Sequence, residues 1–507
     1  MKKIFKFLLS RLVIVCLLIL IQFLFLIWIM VFLSDNGVYF YSLMQLVSVG
    51  VVLYIITNHE NPSYKLAWVI PILIFPLFGG FFYLLWGNKP VTKKLKRRIE
   101  DFYYDTEKYM QQDKQIKKDF SNDNKGNLVQ TNYIFRMSGF PIYKNTEAEY
   151  FPLGDDMLPR LTEELKKAEK FILMEYFIIQ EGIMWNHILE ILKQKAASGV
   201  EVYLMYDDIG CIQTLPAGYH KKLASYGIKV TVFNPFKPQL TVMMNYRDHR
   251  KICVIDGNIG FCGGINLADE YINAYEKYGH WKDTAVMLKG DAVKSLTLMF
   301  MQLWQFTRNE KLDFEKFKPT MQFKTDGYVQ PFGDSPMDNY NVAENAYLQM
   351  INRASKYVYI TTPYLILDNE MVTALSIAAQ SGVDVRIITP HKADKWYVHA
   401  VTQAYYLPLL KAGVKIYEYT PGFMHAKMFV SDDNLAIVGT TNMDYRSFYL
   451  HFECGVLFFG SQIVEAVKCD VMKTIEKSQL ITHDMAIKVP MFKKFIRSLL
   501  RIFSPLM

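Results

Sequence analysis

Cysteine is scarce in this chain, with six in 507 residues: Cys16, Cys211, Cys253, Cys262, Cys454 and Cys469. None stands in C-x-x-C spacing and one lies in an apolar run, which argues against a disulfide framework or a zinc site. Free thiols in a reducing compartment are expected. Charge is missing from Leu12 to Leu33, a run of 22 residues broken by a single Gln. No small-residue cleavage site follows it, so it reads as a retained anchor and not as a signal peptide. Acidic residues are missing from Met491 to Met507, where Lys493, Lys494, Arg497 and Arg501 stand among Phe and Leu. The net charge of +8 is modest, and its basic clusters adjoin apolar segments.

What is abundant is apolar surface: 51% hydrophobic residues and 15% aromatic. A chain this long exceeds one ordinary core, so several domains are expected. Leu12–Leu33 is long enough to cross a bilayer core of about 30 Å. Two further apolar stretches follow, Val38 to Ile56 and Leu66 to Trp86, the last carrying Pro71, Pro76 and Gly79-Gly80. Such residues suit a kinked or re-entrant segment as well as a span. Lys2, Lys3, Lys6 and Arg11 precede the first stretch, and Lys89, Lys93, Lys94, Lys96, Arg97 and Arg98 follow the third. Three full spans put these clusters on opposite faces; two spans and one interfacial segment put both in the cytoplasm. The second cluster is the larger, so the domain after it is expected in the cytoplasm.

The expected division is a membrane region of two to three apolar segments (1–90), a charged linker (91–130), a first lobe (131–320), a second lobe (321–488) and a basic amphipathic tail (489–507). The tail suits an anionic membrane surface; packing on the domain is the competing reading.

The globular part repeats itself. "FILMEYFII", a helical stretch from Ile183 to Ala197 and "SGVEVYLMYDD" are matched by "KYVYITTPYLIL", a helix near Met371 to Gln380 and "SGVDVRIITP". "YGIKVTVF" matches "AGVKIYEY", and "HRKICVID" matches "HAKMFVSD". The first copy holds ten more residues before its histidine, in "NPFKPQLTVMMNYRDH". A duplicated α/β unit places one site between its copies.

Each copy carries H-x-K-x4-D, namely His249, Lys251, Asp256 and His425, Lys427, Asp432, with an asparagine ten residues on, Asn266 or Asn442. Residues i and i+2 of a strand share a face, so His and Lys project together. This set fits a phosphodiester. Lys251, Lys427, Asn266 and Asn442 neutralise or donate to the phosphate oxygens. One histidine attacks phosphorus, and the other protonates the leaving alkoxide and then deprotonates the incoming hydroxyl. The chemistry requires no metal and no cofactor.

The duplicated motif resembles that of the phospholipase D superfamily. With "GGINLADEY", "GTTNMDYRSFYLHFE" and the amino-terminal "NPSYKLAWVIPILIFPLFGGFFYLLWG", the chain is similar to the bacterial cardiolipin synthases over nearly its whole length. The resemblance implies two tandem α-β-α sandwich lobes forming a pseudo-dimer, preceded by transmembrane helices, in a multi-pass bacterial membrane protein. It implies transfer of a phosphatidyl group between two phosphatidylglycerol molecules, giving cardiolipin and glycerol, with His249 as nucleophile and His425 as acid and base. Asp283 and Glu453 are implied as the acids that orient the histidines. Asp256 and Asp432 complete the catalytic motif, with a structural role near the site. A hydrolytic phospholipase D, or a synthase using another alcohol or lipid acceptor, would use the same residues. A membrane-tethered nuclease would too, but the basic clusters sit beside membrane segments, so nucleic acid is not the expected partner.

Overall fold

The computed structural model describes residues 38–58, 61–74, 106–236, 245–324, 326–338 and 340–506, with a few single positions nearer the amino terminus. Most of Leu12–Leu33, the end of the third apolar stretch, and Met243-Met244 of the insertion lie outside the described residues.

The first half contributes β1 (Thr146–Phe151), β2 (Phe171–Tyr176), β3 (Glu201–Asp207), β4 (Lys229–Phe233), β5 (Arg247–Asp248), β6 (Lys251–Ile255), β7 (Ile259–Gly263), β8 (His280–Lys282) and β9 (Ala285–Gly290). The second contributes β10 (Tyr328–Asp334), β11 (Tyr357–Thr361), β12 (Asp384–Pro390), β13 (Lys415–Tyr419), β14 (Gly422–Met424), β15 (Met428–Ser431), β16 (Leu435–Gly439), β17 (His451–Phe459) and β18 (Ser478–Ile481). The two sheets run β1-β9-β7-β6-β2-β3-β4 and β10-β17-β16-β15-β11-β12-β13, with β18 added at the second edge. Strand for strand the order is the same, which is the duplication seen in three dimensions.

The central strands are parallel (β2 with β3 and β4, β11 with β12 and β13) and reach the rest of the sheet through antiparallel partners. Strands covered on both faces read as unbroken apolar runs, and all six residues of Phe171–Tyr176 are buried. The helices Ile183–Ala197 and Asn369–Gln380 follow β2 and β11 as the periodicity predicts. Each is followed by a glycine in the left-handed region, Gly199 at φ +93° and Gly382 at φ +92°, which ends the helix and turns the chain into the next strand. One apolar core runs through both halves, and a second fills the outer layer of the first half.

Two expectations are altered. Residues 106–130 are not a solvated linker: the helix Lys114–Asp123 buries Phe120 against Tyr328 and Phe459 of the second half. The helix Leu128–Ser138, which straddles the expected boundary between linker and first lobe, also joins the second, with Gln130 donating to the Ala346 carbonyl at 3.1 Å. The expected membrane spans are not met among the described residues, where no helix is long and apolar enough to cross a membrane. The described start of the third apolar stretch lies in a helix over Pro62–Ile74, 13 residues. That helix packs on Val38–Thr57 through Val51, Ile55 and Ile72. Asn61, just before it, donates to the Tyr449 hydroxyl at 3.0 Å and ties the segment to the second half.

The tail forms a helix over Met491–Ile502. It docks through both kinds of side chain: Arg497 donates to Gln403, the Arg501 guanidinium sits 4.5 Å from the Tyr405 ring centre, and Leu500 packs against the core. Phe492 and Phe495 face outward, 74% and 64% exposed.

Candidate active site

The two histidines stand just before strands and not within them: His249 between β5 and β6, His425 between β14 and β15. Each is held by backbone of the other half. β5 pairs with the start of β17, and the His249 N–H donates to the Phe452 carbonyl at 3.0 Å. β14 pairs with β8, and the His425 N–H donates to the Lys282 carbonyl at 2.7 Å. The site is therefore made by the junction of the halves.

The orienting acids cross over in the same way. His249 Nδ1 lies 3.0 Å from Glu453 of the second half, and His425 Nδ1 lies 2.5 Å from Asp283 of the first. A carboxylate on Nδ1 fixes the tautomer that leaves Nε2 free to attack or accept a proton, and it stabilises the imidazolium. Lys251 Nζ donates to the His249 carbonyl at 2.5 Å, and Lys427 Nζ lies 2.7 Å from His425 Nδ1. Lys251 is within electrostatic reach of both His425 and Lys427, so the four side chains share one buried electrostatic environment.

Burial sets the protonation states. It pulls His249 down to about 3 against the pull of Glu453, and His425 down to about 4 with help from Lys427. Both imidazoles are neutral near pH 7 before an anionic phosphate enters, as a nucleophile and a base require; the histidine that acts as acid must first gain a proton, which the phosphate's negative charge favours. Burial also draws Lys251 down to about 8 and Lys427 to about 7. Burial pushes the two acids up, but the neighbouring cations and imidazoles outweigh it, leaving Glu453 and Asp283 ionised. Such a site carries buried cations that an anionic phosphate would stabilise.

Not every predicted residue faces this centre. Asp256 and Asp432, members of the motif, lie at the far ends of β6 and β15 from the histidines. Asp256 accepts from the N–H groups of Glu169, Lys170 and Phe171, each at 2.8 Å. Asp432 accepts from those of Ser355, Lys356 and Tyr357 at 2.7 to 2.9 Å. Both have positive φ, +51° and +53°, and tie the end of one strand to the start of its neighbour. They do not touch the reacting groups. Asn266 is also committed internally: its carbonyl accepts from Ile178 N–H at 2.9 Å and its amide donates to the Tyr271 hydroxyl at 2.7 Å. Asn442 keeps its buried Oδ1 without a hydrogen-bond partner.

Sequence reasoning missed several participants. Thr440 donates to Glu453 at 2.5 Å and so holds the acid. Its counterpart in the repeat is Gly264, where an added Cβ would lie 2.0 Å from Asp283 Oδ1; the glycine leaves room for the shorter acid. Trp281 and Tyr271 lie against the His425 ring at 5.3 and 5.5 Å, and His451 lies 5.4 Å from the His249 ring. The "GGIN"/"GTTN" and "HWKD"/"HFEC" pairs carried that signal, as differences between otherwise matched copies. The ligand atoms of His249, His451 and Glu453 lie within 4.8 Å of one another, a spacing a divalent cation could use. The carboxylate, however, is already engaged by His249 and Thr440.

Paired sheets that place two His-Lys sets at one junction define a phospholipase D-like enzyme. A family model described as "Cardiolipin synthase, PLD-like domain" matches residues 161–304 and 347–474, and one described as "Phospholipase_D-nuclease N-terminal" matches 46–88. The chain is 34% identical over 472 residues to the cardiolipin synthase of Alkalihalophilus pseudofirmus, covering 92% of each protein. It is likewise 34% identical to cardiolipin synthase 2 of Bacillus cereus, over 90% of this chain and 89% of that one. An uncharacterized protein of Streptococcus mutans is 45% identical over 90% of this chain and all of its own length. In fold, the chain resembles the crystal structure of phosphatidylserine synthase from Haemophilus influenzae, with a TM-score of 0.57 at 13% identity, over 74% of this chain and 97% of that one. The chain belongs to the cardiolipin synthase family, and it is a phosphatidyltransferase.

Proposed function

We propose that the protein makes cardiolipin by moving a phosphatidyl group from one phosphatidylglycerol to the hydroxyl of another, with release of glycerol. The observation that carries this reading is the crossed arrangement of His249–Glu453 and His425–Asp283 around two buried lysines. One histidine Nε2 forms a bond to phosphorus while the bond to the glycerol oxygen breaks, and the other histidine, entering the step as the imidazolium, gives that oxygen its Nε2 proton. The second histidine then takes the proton of the incoming hydroxyl. Its oxygen bonds to phosphorus as the P–N bond breaks, restoring both histidines. Lys251 and Lys427 offset the charge that grows on the non-bridging oxygens. Asn442, whose side chain is unengaged, adds a donor there.

The substrates are membrane phospholipids, and we place the protein at the bacterial membrane with its catalytic halves on the cytoplasmic side. The outward apolar rings of Phe492 and Phe495, beside Lys493 and Lys494, support contact of the tail with an anionic lipid surface. Single variants His249→Ala and His425→Ala test the mechanism. Each is expected to abolish cardiolipin formation, and full activity in either refutes the two-histidine route.

A further inference from the structure

We propose that Arg446 and His451 form a second phosphate subsite, beside His249, that holds the phosphate of the lipid supplying the attacking hydroxyl. The proposal rests on the transfer reading above and adds to it how the acceptor is recognised.

Two alignments within the chain bring the subsite out. Counted from the equivalent asparagines Asn266 and Asn442, Arg446 stands where the first half has Glu270. Counted back from the equivalent acids Asp283 and Glu453, His451 stands where the first half has Trp281. A site with near two-fold symmetry is therefore dressed differently on its two flanks. Beside His425 lie the rings of Trp281 and Tyr271, and Glu270 is paired with Lys277 at 2.8 Å. Beside His249 an imidazole replaces the indole, and at the aligned position four residues past the asparagine a guanidinium replaces the carboxylate.

This pair is held in place and only partly satisfied, His451 sharing Glu453 with His249. Arg446 Nε is buried with no hydrogen-bond partner, and its guanidinium makes no ion pair among the described residues. His451 Nδ1 is also buried without a hydrogen bond; the nearest carboxylate oxygen, on Glu453, is 3.6 Å away and is held by His249. The backbone fixes both: Arg446 lies on the short helix Tyr445–Tyr449, and His451 opens β17, in register with Arg247 of β5. Arg247 is itself engaged by Asp207. Asp444, buried within electrostatic reach of both Arg446 and His451, has its carboxyl pushed up by burial.

Buried donors left without acceptors are costly, and a bound anion beside the active site is one way to satisfy them. The ligand chemistry follows from the donors. A guanidinium spans two phosphate oxygens, and an imidazole N–H can reach a third. The phosphorus under attack already has Lys251 and Lys427. A second phosphate is present only if the acceptor is itself a phospholipid; water or a simple alcohol brings none.

The test uses the purified full chain in detergent mixed micelles with labelled phosphatidylglycerol. 1-Butanol is added to compete with the lipid hydroxyl, and the ratio of cardiolipin to phosphatidylbutanol is read. Arg446→Gln and His451→Asn are each expected to lower this ratio at least tenfold, and Arg446→Lys, which keeps the charge, to restore part of it. An unchanged ratio in either Arg446→Gln or His451→Asn overturns the subsite. A parent protein that makes phosphatidylbutanol but no cardiolipin overturns the lipid-acceptor reading and the subsite with it. Phosphatidic acid as sole product overturns the transfer reading itself.

Discussion

Replacing Glu453 by Gln removes one charge and almost nothing else. The amide keeps the shape of the acid and still accepts from Thr440, but it no longer opposes an imidazolium on His249. The separation is 3.0 Å. At an effective dielectric of about 20, a pair of unit charges at that distance is worth about 5 kcal/mol. A loss of that size in the transition state slows the reaction by about 10⁴-fold, and amide replacement of the orienting acid in serine proteases has about the same effect. The expected fall in kcat for Glu453→Gln is therefore about 10³- to 10⁴-fold. The assay is conversion of labelled phosphatidylglycerol in mixed micelles, with thermal unfolding measured alongside to show that the fold persists. Asp283→Asn should act alike through His425, since the arrangement is reciprocal. A loss of less than tenfold in a folded Glu453→Gln protein refutes the claim that the crossed acids sustain catalysis.

Because one histidine must be neutral and the other protonated, and burial holds them at about 3 and 4 with the lysines at about 8 and 7, kcat/KM should be highest near pH 4 and already declining by pH 7. It should fall on the acid side as the nucleophile gains a proton, and on the alkaline side as the acid histidine, then Lys427 and Lys251, lose theirs; a profile still rising at pH 9 contradicts this. Asp256→Asn weakens a carboxylate clamp on three backbone N–H groups and should cost about 1–3 kcal/mol of stability. Its effect is read as a lowered Tm with kcat within tenfold of the parent; a collapse of kcat without loss of stability would return Asp256 to the catalytic set. Phe492→Asp with Phe495→Asp removes two outward rings, each worth about 2 kcal/mol when buried, and should raise the apparent KM for micellar lipid at least tenfold. An unchanged KM removes the tail from the membrane surface.

Much of this fold was legible because duplication doubles every signal. The run Phe171–Tyr176 alone does not separate a buried strand from a helix, but its match to "KYVYIT" with the same helix and "SGV" turn behind it does. The His-Lys pairs were legible because they are four residues in a fixed pattern. The crossed acids were not: nothing in a local motif says that Asp283 serves His425 and Glu453 serves His249, since that follows from how β8 meets β14 and β5 meets β17. Asn266 misled for a related reason. Its spacing equals that of Asn442, but Tyr271, five residues on, and Ile178, brought by tertiary structure, consume its amide. The linker reading of residues 106–130 failed because their polarity hides Met110 and Phe120, each buried against the halves. At the amino end, the expectation of an anchor left its topology open, since two arrangements satisfy the same basic clusters.

The central claim is transfer of a phosphatidyl group between two lipids through two histidines. It is tested most directly by counting products from phosphatidylglycerol labelled in its headgroup glycerol. The account predicts one free glycerol for each cardiolipin formed and no phosphatidic acid in proportion to it. Glycerol released in step with phosphatidic acid, and without cardiolipin, would contradict it.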